Sequence, residues 1–162
     1  MSKKTKSPKV LDRTDRRILE CLQADGRISN VQLARKVNLT PTPCIERVKR
    51  LERQGYIRGY TALLDPELVD AGLLVFVEID LSHKSPDAFR KFREEARRLT
   101  EIMDCHLVSG NFDYLIKARV ADMAAYREFL GETLLTLPGV QESTSYVVME
   151  QVKETLALEV PY

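Results

Sequence analysis

The sequence has no apolar run approaching the ~18 residues that a membrane-spanning helix requires. Its first ten residues, MSKKTKSPKV, are basic but lack the apolar stretch of a signal peptide. Only three cysteines are present and none belongs to a CxxC pair, which argues against a disulfide framework and against a zinc site. We therefore expect a cytoplasmic protein without a membrane partner, whose cysteines serve packing.

Sequence signatures of catalysis are missing as well. The chain has no GxxxxGK(S/T) loop, HExxH helix or GxSxG turn. Cys105 and His106 are neighbours in a predicted strand, so their side chains point to opposite faces and cannot form a nucleophile–base pair. His83 has no metal-ligand partner at a suitable spacing. These absences predict a protein that is not an enzyme and that has neither a cofactor nor a metal site.

Each half of the chain is poor in charge of one sign, although the whole is nearly neutral. Residues 1–64 contain 15 basic and 6 acidic residues, an excess of 9 positive charges. Residues 65–162 contain 10 basic and 18 acidic residues, an excess of 8 negative charges. A boundary near Asp65–Pro66 therefore separates two predicted domains, and the basic one favours a nucleic acid as its partner.

The basic half reads as three helices. Asp12 predicts the N-cap of the first helix, which ends at Gly26, and Ser29 predicts the N-cap of the second. The third begins within TPTPCIERVKRLERQG, where Thr42 before Pro43 is the favoured start and Thr40 before Pro41 the alternative. After Gly55 the segment YIRGYTALL predicts a short two-stranded wing. In the second helix the expected inward residues are Val31, Leu33, Ala34 and Val37.

The third helix has the features of a DNA recognition helix. Its arginines lie largely opposite an apolar stripe and can donate to guanine, while the threonines and the amides at its start can hold phosphates. Glu46 can accept from cytosine N4 or pair with Arg50. The alternative is a solvated, charged face without a ligand. The candidate DNA-binding residues are Thr40, Thr42, Pro43, Glu46, Arg47, Lys49, Arg50 and Arg53.

The acidic half begins with a strand of period two. Leu73, Val75, Val77, Ile79 and Leu81 share one face, and a helix, two hairpin-like strands, a second helix and a last strand follow. The order βαββαβ predicts a ferredoxin-like sheet with both helices on one face. The second helix is expected to bury Met123. The uncovered face would carry Leu74, Phe76 and part of the run Tyr146–Met149, which predicts dimerisation through the sheet.

Both halves also resemble a known family. LTPTPCIERVKRLE in the first half, and HLVSGNFDYLIKARV with YVVMEQV in the second, are similar to the Lrp/AsnC regulators of bacteria and archaea. The resemblance implies an α+β protein with an N-terminal winged helix-turn-helix domain, its helix-turn-helix at residues 31–50, and a C-terminal ferredoxin-like domain. It further implies dimers that assemble into octamers or larger, with a small amino acid, most closely leucine, bound between dimers.

The loop after the second strand matches the family's effector-loop pattern. Gly110 lets backbone amides approach a carboxylate, Asp113 can pair with an ammonium group, and nearby apolar residues can surround an aliphatic side chain. Related sequences commonly have Asp where this chain has Asn111. The alternative is an ordinary β-turn without a ligand. The candidate effector-binding residues are Leu107, Val108, Gly110, Asn111, Phe112, Asp113, Tyr114, Met123, Tyr146, Val147 and Val148.

These observations predict a nucleoid-associated activator or repressor of transcription that binds double-stranded DNA and a small amino acid. The alternative is an architectural protein that wraps or bridges DNA independently of any effector. The expected organisation is a disordered basic arm at 1–10, the winged helix-turn-helix at 11–64, a linker at 65–72, the effector and oligomerisation domain at 73–154, and a tail at 155–162.

Overall fold

Residues 11–161 are described by the computed structural model, and they divide into two compact units. Residues 11–62 form the first unit together with 154–161, and Leu63–Lys153 form the second. The predicted basic arm at 1–10 lies outside the described residues. The predicted linker includes a short 3-10 turn, Pro66–Val69. The C-terminal tail is not a separate segment in this division, because it groups with the N-terminal helices.

Three helices build the first unit: α1 (Arg13–Ala24), α2 (Asn30–Lys36) and α3 (Pro41–Arg53). The predicted caps are confirmed, since Asp12 and Ser29 each form a capping box with the residue three positions on. The favoured start of α3 at Thr42 is wrong, because Thr40 is the N-cap and Pro41 the first helical residue. Proline suits that position since its φ is already helical and the first amide needs no partner within the helix.

The core of the first unit lies between these helices. Ile18, Leu33, Cys44 and Leu51 are buried, so Cys44 has the packing role expected of it, as does Cys21. Val31 was expected inside but is 49% exposed, because it lies in the first turn of α2 and points about 160° away from the buried Leu33 around the helix axis.

The two-stranded wing expected in YIRGYTALL is not formed. Residues 56–64 contain no strand. The segment folds back on the helices through side chains instead, with the Tyr60 hydroxyl donating to Glu52 at 3.1 Å. A wing needs two strands paired by backbone hydrogen bonds, and residues 56–64 do not form such a pair.

The second unit has the predicted βαββαβ order. Its elements are β1 (Leu73–Leu81), α4 (Pro86–Ala96), β2 (Ile102–Leu107), β3 (Tyr114–Val120), α5 (Met123–Glu128) and β4 (Val140–Val147). The sheet order is β2-β3-β1-β4, and each neighbouring pair is antiparallel. This is the ferredoxin-like arrangement. The last strand ends at Val147.

The helix-covered face of the sheet holds the core. Alternate residues of β1 from Val75 to Leu81 are buried there, as the period of two predicted. Tyr114 stacks on Phe92 with ring centroids 4.4 Å apart. After α5 the chain forms a π turn, Phe129–Thr133. Because a π turn places residues five positions apart on one side, Phe129 and Leu134 are both buried.

Met123 does not join this core. It was expected on the buried side of the second helix, yet it is 49% exposed at the first position of α5. Its neighbours Ala124 and Ala125 are held by the Asp122 cap, which accepts from both amides at 2.8 and 2.9 Å. The cap fixes the start of α5, and Tyr126, three residues after Met123, is the first buried residue of this helix.

The other face of the sheet is mixed in chemistry. Phe76 lies between Lys117 and Tyr146 in neighbouring strands, and Leu74 lies beside Arg119. Leu74 is buried whereas Tyr146 is 50% exposed. Burial raises the pKa of the Tyr146 phenol, and the neighbouring Glu78 carboxylate adds to the shift. Dimerisation through this face stays a prediction.

Candidate DNA-binding surface and effector site

The outer side of α3 presents one stripe of exposed side chains. Thr42, Glu46, Lys49 and Arg53 follow each other at spacings of four, three and four residues, which places them on one helix face. All four are exposed, while Cys44 and Leu51 on the other side are buried. We call Thr42, Glu46, Lys49 and Arg53 the outer stripe. It combines two cations, a carboxylate and a hydroxyl on an exposed surface.

Arg47 and Arg50 are not part of the outer stripe. The Nη1 atom of Arg47 donates to Asp12 Oδ2 at 2.5 Å and to Asp15 Oδ1 at 2.8 Å, and Arg50 Nη2 donates to the same Asp15 oxygen. The hydrogen bonds that Arg47 donates to Asp12 and Asp15 raise the pKa of its guanidinium group. Both arginines are candidate DNA-binding residues, and their contact with DNA stays a prediction. The structure pairs them with carboxylates of α1, which we call the aspartate cluster, Asp12 and Asp15.

Asp15 is the centre of this pairing. Its side chain is only 4% exposed, and it also accepts from the Asp12 amide as part of the α1 capping box. The alternative that Glu46 pairs with Arg50 is wrong, since Arg50 reaches across to α1. The capping-box spacing of Asp12 and Asp15 is visible in the sequence, but their contact with arginines more than 30 residues away is not.

The start of α3 offers few backbone donors. Thr40 makes no side-chain capping bond, Pro41 and Pro43 have no amide hydrogen, and the Cys44 amide donates to the Thr40 carbonyl at 3.3 Å. The expected cradle of amides for a phosphate is therefore reduced to the amide of Thr42. The exposed hydroxyls of Thr40 and Thr42 remain as further donors.

In the second unit, Asp113 is buried at the end of the predicted effector loop. Its Oδ2 accepts from the Leu81 amide at 2.9 Å, and its Oδ1 lies 3.1 Å from Lys84 Nζ. Its own amide donates to the Ile79 carbonyl at 2.9 Å. Asp113 was expected to pair with the ammonium group of an amino acid. Each of its oxygens already has one partner within the chain, and these contacts anchor the loop to the end of β1. Its pairing with the ammonium group of an amino acid stays a prediction.

Lys84 is a site residue that the sequence reading missed. It lies in the segment between β1 and α4, and its ammonium group also lies 3.8 Å from Asp80. The register of β1 and β4 shifts between Asp80 and Leu81, and the Leu81 amide turns to the carboxylate at this point. The contact between Lys84 and Asp113 depends on how the end of β1 lies against the loop before β3. The sequence of either segment alone does not show that arrangement, so it could not predict Lys84 as a partner of Asp113.

The remaining loop residues differ in accessibility. Gly110 and Asn111 are exposed, and a Cβ built on Gly110 would meet no atom within 4 Å. Nothing in the chain itself therefore requires glycine at this position. Tyr114, in contrast, belongs to the core, and burial raises the pKa of its hydroxyl. Phe112 and Val108 are half-buried, with the Val108 amide bonded to the Asp113 carbonyl at 3.0 Å.

One chain does not bring all the predicted effector residues together. The loop adjoins the end of β3 where Tyr114 pairs with Ile79 and Leu107, whereas Met123 follows the opposite end, where Val120 pairs with Leu73. Strand β3 separates the two ends by about 20 Å at ~3.4 Å per residue. Val147, opposite Val75, and Val148, bonded to the Leu74 carbonyl, lie toward the Met123 end.

A groove lies beside the edge strand of the sheet. It has a volume of about 320 Å³ and runs between α4 and β2, with Arg93 and Arg97 on the helix side and Leu107 and Tyr114 on the sheet side. Cys105 also lines the groove and is opposite Ile116 in β3, while His106 is opposite Leu115, so the side chains of Cys105 and His106 point to opposite faces of the sheet.

Among residues 11–161 no cluster of His, Cys, Asp or Glu could hold a metal ion. None of the helices in this range has the length and apolar character to span a membrane.

Comparisons with known proteins show a matching family model for each of the two units. Residues 74–158 match the family model described as the Lrp/AsnC ligand binding domain, and residues 11–58 match the model described as winged helix-turn-helix DNA-binding. The chain is 62% identical over 152 residues to the leucine-responsive regulatory protein of Klebsiella pneumoniae, covering 94% of this chain and 93% of that protein. Identity and coverage are the same for the leucine-responsive regulatory protein of Escherichia coli strain K12.

Two solved structures are similar over almost the whole chain. A transcriptional regulator of Neisseria meningitidis in complex with L-Met is 41% identical with a TM-score of 0.89, covering 93% of this chain and 97% of that one. An AsnC family transcriptional regulator from Agrobacterium tumefaciens is 36% identical with a TM-score of 0.87, covering 91% and 96%.

Proposed function

Because this chain belongs to the Lrp/AsnC family of transcription regulators, we propose that it reads DNA with the outer stripe and responds to leucine. The general activity, amino-acid-responsive regulation of transcription through a helix-turn-helix, follows from the family models and from the relatives that match along the whole chain. The observation that carries the finer proposal is the separation of α3 into an exposed outer stripe and two arginines paired with α1.

The outer stripe supplies the chemistry of sequence readout. Arg53 and Lys49 can donate to guanine O6 and N7 or to phosphates, and Glu46 can accept from cytosine N4. Glu46 is exposed and forms no ion pair among residues 11–161, so its carboxylate is open to a base. Thr42 lies at the amino-terminal end of the stripe, where its hydroxyl and amide suit a phosphate oxygen.

Leucine is proposed from two features. The relatives that are 62% identical are named as leucine-responsive. The loop side of the predicted site also presents the exposed apolar side chain of Leu107 beside Gly110, whose Cβ position is empty. An aliphatic side chain can pack on Leu107 while its carboxylate approaches the backbone at Gly110. The L-Met in the complex of the Neisseria regulator is likewise an amino acid with an apolar side chain.

The complete effector site is proposed to form between chains. The loop at Gly110–Asp113 and the exposed Met123 lie at opposite ends of one sheet, so a ligand that touches both groups must contact two copies. Such a site couples ligand binding to assembly, since the effector binds only the state in which the two copies meet. We therefore expect a homodimer that assembles into an octamer or larger, on the nucleoid in the cytoplasm.

The deciding experiment is calorimetric titration of the protein with each of the common amino acids, with light scattering on the same samples. Leucine is expected to give the tightest binding and to change the scattering mass. Tight binding of another amino acid would replace leucine, whereas no binding of any would favour the architectural alternative.

The outer stripe is tested separately by Lys49→Gln and Arg53→Gln. Each variant is expected to weaken DNA binding, by roughly 1 to 3 kcal/mol if the side chain makes a bidentate base contact. The matched control is Arg90→Gln in α4, which removes an exposed arginine of the second unit and should leave DNA affinity unchanged. Equal affinity of all three variants would overturn the assignment of the outer stripe.

A further inference from the structure

The aspartate cluster lies next to the outer stripe, because it binds two arginines of the same helix, α3. Asp12 and Asp15 begin α1, and the two arginines that they bind, Arg47 and Arg50, directly follow Glu46 and Lys49 of the outer stripe. The arginine side chains are 30% and 38% exposed, so they lie at the border of the surface that is proposed to meet DNA. Two cations next to a DNA-reading stripe are thus already neutralised by carboxylates of the same unit.

Arginine next to a DNA-binding surface normally adds phosphate contacts. Each such contact releases a counterion and strengthens binding to every DNA sequence alike, so it raises affinity without improving discrimination. The geometry here restricts that contact. Arg47 is held by two carboxylates through one nitrogen atom, and exchange of either arginine to a phosphate would leave the buried carboxylate of Asp15 with fewer partners.

We propose that Asp12 and Asp15 are specificity-determining residues that keep Arg47 and Arg50 off the DNA phosphates. The aspartate cluster lowers the affinity for arbitrary DNA and leaves the outer stripe to supply the sequence-dependent part. The inference rests on the proposed function of the outer stripe. A purely structural role would consist only of tying α1 to α3, and it predicts a different response to salt.

The test compares Asp15→Asn and Asp12→Asn with Glu20→Gln, which also removes one negative charge from α1, at a residue that pairs with the surface arginine Arg17. DNA affinity is measured at about 50 to 200 mM salt, on a duplex selected by the protein from a random pool and on a scrambled duplex of the same composition. Asp15→Asn is expected to tighten binding to the scrambled duplex and to steepen the salt dependence by about 0.9 for each released arginine. With two released arginines, the gain shrinks about tenfold across this salt range.

Several results decide the inference. Weaker binding of Asp15→Asn to both duplexes with an unchanged salt slope would leave only the structural role and overturn the proposal. The same holds if Arg47→Gln with Arg50→Gln lowers the slope of the unaltered protein, because the arginines would then already contact phosphates. Adding these two changes to Asp15→Asn should restore the original slope.

Folding and the outer stripe are controlled independently. If Asp15→Asn fails to fold, the half-exposed Asp12→Asn and the double arginine variant still decide the proposal. If Lys49→Gln and Arg53→Gln leave DNA affinity unchanged, the outer stripe is wrong, yet the salt slopes of the aspartate variants still report whether Arg47 and Arg50 reach phosphates.

Discussion

The two units each bury one carboxylate among the described residues, and they use it differently. Asp15 of the helical unit accepts from two arginine side chains of another helix, whereas Asp113 of the sheet unit accepts from a backbone amide and faces a lysine. Helices satisfy their backbone bonds internally, so side chains must fix the angle between α1 and α3. Strands are placed by their backbone ladders, and the carboxylate is needed only where the register of β1 shifts.

The largest expected effect tests whether the two units are energetically separate. Phe92→Ala removes a fully buried ring from the second unit and should lower its free energy of unfolding by about 3 to 5 kcal/mol. The first unit shares none of that core, so its helices should keep their own unfolding transition. Urea unfolding followed by circular dichroism and by Tyr fluorescence is the measurement. A single coincident transition that shifts as a whole would show that the units unfold together.

The next effect concerns the carboxylate of the helical unit. Asp15→Ala leaves Arg47 and Arg50 without their shared acceptor and should destabilise the first unit by about 1.5 to 3 kcal/mol. Glu20→Ala on the same helix loses a surface pair with Arg17 and should change stability by less than about 1 kcal/mol. Equal losses for both variants, measured by urea unfolding, would contradict the assignment of Asp15 as the fixed point between α1 and α3.

The sheet carboxylate should affect the ligand response more than stability. Asp113→Asn keeps an oxygen for the Leu81 amide but loses the charge that faces Lys84, so we expect a stability loss of about 1 kcal/mol. The loop at Gly110–Asp113 should then lose its shape and the amino-acid response with it, while DNA affinity without effector is unchanged. Asp104→Asn, exposed on β2, is the matched control. Unchanged amino-acid binding in Asp113→Asn, by calorimetry, would exclude the loop from the site.

The smallest expected effect concerns the tail of the first unit. The Gln23 side-chain amide donates to the Leu158 carbonyl at 2.9 Å and accepts from the Leu158 amide at 2.6 Å, and both residues are exposed. Gln23→Ala should release the tail and lower stability by at most about 1 kcal/mol. Faster hydrogen exchange at the Leu158 amide is the readout, with Gln141→Ala as a control at an exposed site of β4. An unchanged exchange rate would mean that Gln23 does not hold the tail.

Local signals predicted much of the fold. Asp12 and Ser29 marked two helix starts because a capping side chain acts within three residues, and alternation in β1 marked its buried face because successive strand residues point to opposite sides. The start of α3 was ambiguous for the same reason. Thr40–Pro41 and Thr42–Pro43 carry the same local signal, and only packing against the other helices selects between them.

For the DNA-binding surface and the effector site, the sequence predicted candidate residues but not the contacts that these residues make within the chain. The outer stripe was included among the candidates by helical spacing, and the effector loop by its likeness to the family. The partners of Arg47, Arg50 and Asp113 within the chain could not be predicted, because an isolated sequence shows a charge without its partner. The sequence also does not show that β3 separates Met123 from the loop within one chain.

The sequence by itself therefore determined the family, the βαββαβ order, the helix caps and the segregation of charge, since each depends on residues close together along the chain or on a long motif. Only the tertiary structure decided which charges are already paired and which remain open. An ion pair or a hydrogen bond depends on distance in space: Asp15 lies 35 residues from Arg50 along the chain, and the Leu81 amide lies 32 residues from Asp113.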